Sequence, residues 1–158
     1  RFEIDTLMLV AAAGAAALLT SAVAFAEEAF VSAKGEYVWN QAASKYESPP
    51  YAKSQTMSIP HDDGKTIKFS QDVTLADGKR FTWAYDGTFD GKPHPGEWIT
   101  VALTRTAPNA FSNDYSMNDG AKGFEVATIY PDKIVIRGSA TTAAGHKDTY
   151  EEVWDKVK

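Results

Sequence analysis

The 158-residue chain contains no cysteine, so disulfide staples, thiol nucleophiles and cysteine-ligated metals are all excluded. It has only three histidines, His61, His94 and His146, each beside a turn, and no pair at metal-ligand spacing. His61-Asp62-Asp63 offers three donor side chains in a row, but a structural metal needs a closed set of four ligands, and exposed turn residues are the expectation. His94 lies in Lys92-Pro93-His94-Pro95-Gly96, where two prolines stiffen a loop tip. There is no G-x-S-x-G, and the serines and acids show no triad context. Glu151 and Glu152 are neighbours, so on a strand they point to opposite faces and do not converge as an acid/base pair. A non-enzymatic protein with no cofactor or metal is therefore expected.

Basic charge is scarce as well. Net charge is −5, and without the first 26 residues, which carry Arg1, Glu3 and Asp5, the remainder keeps about −4. A mildly acidic domain without a Lys/Arg cluster carries no footprint for nucleic acid. With 44% hydrophobic and 23% charged residues, the composition is that of one folded domain plus a short appendage.

One long apolar run is present. Thr6–Ala26 reads TLMLVAAAGAAALLTSAVAFA without a charge, roughly 31 Å as a helix and enough to cross a bilayer core. Leu7, Leu9, Val10, Ala13, Ala17, Leu18, Leu19, Ser21, Val23 and Phe25 are its expected membrane-facing or helix-packing residues. Two fates are open. Leu7–Leu19 resembles a signal-peptide core and Ala24-Phe25-Ala26 a cleavage site. The acidic flank Arg-Phe-Glu-Ile-Asp argues instead for a retained anchor in a bacterial inner membrane, with the following domain in the periplasm. Residues 27–34 are expected to be a spacer, and 35–158 the domain.

From residue 35 onward the pattern has period two. Thr66–Leu75 sets Ile67, Phe69, Val73 and Leu75 on one face; Arg80–Phe89 does the same with Phe81, Trp83, Tyr85 and Phe89. Asp77-Gly78 between them predicts a hairpin with a two-residue turn. Further turn signals at Asp63-Gly64, Asp90-Gly91, Pro108-Asn109, Asp119-Gly120, Pro131-Asp132 and Ala144-Gly145 separate strands at Glu36–Gln41, Lys53–Ile59, Trp98–Arg105, Phe111–Met117, Gly123–Ile129, Lys133–Ser139 and Thr149–Lys156. Thr149–Lys158 fits a short helix about as well. Eight or nine sequential antiparallel strands predict an all-β up-and-down meander that closes into a barrel, with a β-sandwich as the alternative. Phe69, Phe81, Trp83, Tyr85, Phe89 and Trp98 then fill the barrel core or line a ligand cavity, with core filling favoured.

Gly35–Thr56 (GEYVWNQAASKY…PPYAKSQT) and Phe81–Pro95 (FTWAYDGTFDGKPHP) resemble a set of exported bacterial domains with the pattern G-x-W-x-L-N-x-A-x-S-K-F, P-x-x-K-S-Q-T and an aromatic strand ending in Y-D-G-K-x-x-P. The resemblance implies a small calycin-like or lipocalin-like β-barrel and brings no activity with it. The chain departs from the lipocalin opening at Tyr37, where that family has Trp. Two roles are expected. In the first, the chain is an anchored accessory subunit of a larger membrane complex, its helix packing on other subunits through Ala13, Ala17 and Ser21. In the second, it is a soluble periplasmic binder of a small apolar ligand.

Overall fold

The computed structural model describes residues 29–158, so the expectations for residues 1–26 lie outside the described residues. Among the described residues, no helix is long and apolar enough to cross a membrane.

Each of the nine segments expected to be strands is one. In chain order they are β1 (Gly35–Trp39), β3 (Ala52–Asp62), β4 (Thr66–Leu75), β5 (Arg80–Thr88), β7 (Ile99–Ala107), β8 (Ala110–Met117), β9 (Lys122–Ile129), β10 (Lys133–Thr141) and β11 (Lys147–Lys156). Two-residue strands β2 (Lys45–Tyr46) and β6 (His94–Pro95) add to these nine among the described residues. All pairings are antiparallel, in the spatial order β5-β4-β3-β1-β11-β10-β9-β8-β7-β6, with β2 on β11. Sequential neighbours pair, and β1 joins β11, so the meander curls into a barrel with a single seam between β5 and β6 that carries no ladder. The sandwich alternative is thereby removed. The Tyr85 and His94 rings face each other across this seam, 5.9 Å apart.

Two expectations are corrected. Thr149–Lys158 is not a helix, because β11 is bonded along β10 from Thr141↔Lys147 to Lys133↔Asp155 and along β1 on its other side. Those ladders satisfy its backbone groups, and period-two alternation turns Tyr150, Glu152 and Trp154 inward. The turn at Asp77-Gly78 has three residues rather than two. The Leu75 N–H donates to Lys79 O (2.8 Å) and the Gly78 N–H to Leu75 O (3.0 Å), with Gly78 at φ 85°. This is a type I turn followed by a left-handed glycine bulge. The β8–β9 and β10–β11 loops repeat the same pair of bonds, ending in Gly120 and Gly145.

Strand direction places these three hairpins and the Pro49-Pro50 segment at one end of the barrel. The other end is sealed. There the enclosed Asp62 carboxylate accepts from Arg105 Nη2 (2.7 Å), the Ala33 N–H (2.8 Å) and the Gly64 N–H (3.0 Å). The Arg105 guanidinium lies 4.4 Å from the Phe89 ring centre, 5.0 Å from Phe30 and 5.5 Å from Phe111. Tyr37, in the place of the lipocalin Trp, donates its hydroxyl to Ala33 O at 2.7 Å. Residues 30–33, expected as spacer, thus cap the barrel. Above them Ile59, Ile67, Leu103, Ile134 and Trp154 are fully buried, each aliphatic side chain contributing about 1.5–3 kcal/mol.

Candidate ligand-binding site

The interior does not fill. A cavity of about 330 Å³ opens at the hairpin end, and a smaller apolar extension of about 40 Å³ continues towards the sealed end. Gln71, Trp83, Glu125 and Ile136 line both parts and form the waist between them. Pro49, Pro50, Tyr51, Trp98 and Met117 ring the mouth, and Tyr51, Trp98 and Met117 are exposed there.

The six aromatic residues singled out from the sequence divide by depth. Phe69 and Tyr85 are buried, and the Tyr85 hydroxyl donates to Thr88 O at 2.9 Å. Phe81 and Trp83 are half-buried on the cavity wall, with Trp83 edge-on to Phe69 at 5.0 Å. Phe89 belongs to the sealed end, 5.4 Å from Phe111. Trp98, 50% exposed, is a rim residue and not core. One face of one hairpin therefore supplies both core and cavity wall.

What the sequence reading missed is a polar cluster inside the barrel. Glu125 of β9 accepts from the Tyr150 hydroxyl of β11 at 2.6 Å and from Asn113 Nδ2 of β8 at 3.2 Å. The Tyr115 hydroxyl of β8 lies 3.2 Å from that of Tyr150. Gln71 Nε2 donates to Gln55 Oε1 at 2.5 Å on the facing wall. The reach from Tyr150 to Glu125 crosses β10 at Gly138, which pairs with both residues. A Cβ there would stand 2.8 Å from the Tyr150 hydroxyl and 2.7 Å from Glu125 Cβ, so only glycine leaves the bridge intact.

Burial disfavours charge on this wall. It raises the Glu125 carboxyl above the usual range. It also pushes Glu152 up to about 8, with the charge of Glu125 adding to the effect. Burial likewise raises Tyr115 to about 12, and raises Tyr150 further, helped by the neighbouring Glu125. Glu151, one residue away, points outward and pairs with Arg137 at 2.7 Å, as strand alternation requires. A signal existed: Glu125 shares period-two phase with Ala127 and Ile129, and Glu152 with Trp154.

The histidines stay apart from this site. His61 bonds Thr66 Oγ1 (2.8 Å) beside Asp63, His94 contacts Asp90 (2.9 Å), and His146 contacts Asp148 (3.1 Å). Asp62 points into the barrel while Asp63 caps the turn, so the His61-Asp62-Asp63 donors diverge.

The class of fold is a calycin-like antiparallel β-barrel with an interior cavity open at one end. Among solved structures, two mutants of the fluorescent protein UnaG are similar to it. One is 11% identical over 78% of this chain and 95% of that chain, with TM-score 0.51; the other is 9% identical over 79% and 96%, also at 0.51. The zebrafish ileal bile acid-binding protein complexed with cholic acid is 14% identical over 78% and 98%, with TM-score 0.49. No family model matches the chain, and no curated protein matches it. At such identities the likeness to UnaG is one of fold.

Proposed function

We propose that the chain is a binding protein that holds a small, largely apolar molecule inside its barrel. The observation that carries this reading is the cavity of about 330 Å³, open to solvent at one end, walled by Phe81, Trp83 and Ile136, and crossed by a few convergent polar groups. Aromatic walls supply affinity by burying apolar surface, and the polar cluster sets orientation. In this reading the run Thr6–Ala26 serves export and the domain works in the periplasm. The accessory-subunit role rests on that run alone, whereas the cavity is a feature of the domain itself.

The test is saturable binding of a neutral probe, octan-1-ol, followed by tryptophan emission, since Trp83, Trp98 and Trp154 line the cavity. Ile136→Trp fills the waist and is expected to weaken binding by about tenfold or more with the fold retained. Equal binding by the variant, or none by the unmodified chain, would count against the proposal.

A further inference from the structure

The charged side chains that line the cavity and its mouth are Glu47, Glu125, Asp148 and Glu152; no Lys, Arg or His is among the lining residues described. The two at the rim are engaged. Glu47 accepts the Thr149 N–H at 2.8 Å, and Asp148 lies 3.1 Å from His146 Nε2. The two deeper ones face no cation from any strand around them. Glu125 faces Asn113 and Tyr115 from β8 and Tyr150 from β11, while Glu152 faces Glu125, Tyr46 and the Trp154 indole. Those neighbours are neutral hydrogen-bonding groups or another acid.

A second observation points the same way. Asn113, 4% exposed, lines the inner cavity and gives its Nδ2 to Glu125, which leaves its Oδ1 with no partner. An enclosed acceptor without a donor is costly, and it sits beside a carboxylate without a counter-ion. The wall thus offers acceptors and two acids, its one enclosed donor without a partner among the lining residues described is the Trp154 indole N–H, and what it lacks is a cation.

Building on the ligand-binding reading, we propose that the ligand class is an apolar amine, its protonated nitrogen held by Glu125 and Glu152 and its apolar body lying against Phe81, Trp83 and Trp98 towards the mouth. An ammonium group brings the donors that both carboxylates and the Asn113 carbonyl can accept, and in a low-dielectric site its attraction to them is far stronger than in water. A fatty carboxylate is disfavoured by the same logic, because it would bring a further negative charge to a wall where burial already opposes the ionisation of two acids and no cation is at hand. Burial and the charge of Glu125 suppress the ionisation of Glu152, and a cation bound beside it would restore that ionisation.

The experiment compares octylammonium, octan-1-ol and octanoate, three ligands of one chain length, on the full chain at pH 7. Octylammonium is expected to bind about tenfold or more tightly than octan-1-ol, and octanoate more weakly than either. In the Glu125→Gln/Glu152→Gln variant, the ratio of octylammonium to octan-1-ol affinity is expected to fall to about one, whatever the absolute affinity for the alcohol. Octanoate binding as tightly as octylammonium, or a variant that keeps the amine advantage, would overturn the amine assignment and leave ligand binding standing. If none of the three bound, octan-1-ol included, the binding reading itself would fail and take the assignment with it. The three-ligand comparison on the unmodified chain decides the matter even if the double variant does not fold.

Discussion

Replacing Glu152 with Gln removes one buried titration and leaves the shape of the wall almost unchanged. In the folded chain burial, aided by the charge of Glu125, moves this carboxyl from the usual 4.5 to about 8. Between those two pH values the native state keeps a proton that the unfolded state has lost, so stability falls as pH rises. The slope is at most about 1.4 kcal/mol per pH unit, or roughly 4 kcal/mol from pH 5 to 8. Water in the open cavity screens the group, and about 2 kcal/mol is the expected size, a change in Tm of roughly 5–8 °C. The difference between the two proteins reports Glu152 together with its coupling to Glu125, whose own pKa is raised and acts in the same direction. Thermal unfolding followed by circular dichroism at pH 5, 6, 7 and 8 in low salt should show Glu152→Gln gaining on the unmodified chain as pH rises. Parallel curves for the two proteins would refute the reasoning.

The bridge across β10 predicts that Gly138→Ala destabilises by about 2 kcal/mol in chemical denaturation, because its Cβ would crowd both Glu125 and the backbone oxygen of Phe124. Gly145→Ala meets no atom within 4 Å and should cost about 1 kcal/mol through its left-handed backbone alone. At the sealed end, Arg105→Leu leaves Asp62 enclosed without its cation and should cost about 3–5 kcal/mol; adding Asp62→Asn should recover part of that loss, a coupling that a double-mutant cycle measures. Octylammonium binding at pH 7 should release a proton from Glu152, seen as a dependence of calorimetric enthalpy on the buffer's ionisation heat, and proton uptake would contradict the assignment.

Much of this architecture is legible in the chain because turn chemistry and alternation are local. Gly64, Gly78, Gly91, Gly120 and Gly145, each following a short residue in a turn signal, all adopt positive φ and divide the strands where expected. The ends of β4 follow directly from the alternation of Ile67, Phe69 and Val73. The three-residue loop at Asp77-Gly78 was not legible, since type I bulge loops and two-residue turns share that dipeptide and only the Leu75–Lys79 bonding separates them. The β11 segment was ambiguous because Tyr150, Val153, Trp154 and Val157 fit both periods, and its two flanking ladders decided it. The site was the least visible part. Glu125, Asn113, Tyr115 and Tyr150 are scattered over three strands, and only the pairing of β8, β9, β10 and β11, with Gly138 between Glu125 and Tyr150, brings their polar atoms together. Trp98 shows the converse: it belongs to the same aromatic run, yet it precedes β7 and so stays at the rim.

The central claim is that the barrel interior takes up an apolar molecule through the hairpin end. The four indole N–H resonances report on it together, since Trp83, Trp98 and Trp154 line the cavity and Trp39 lies outside it. Titration with octan-1-ol should move the first three along one saturable curve while Trp39 shifts much less. Unmoved Trp83 and Trp154 signals at saturating alcohol would contradict the account.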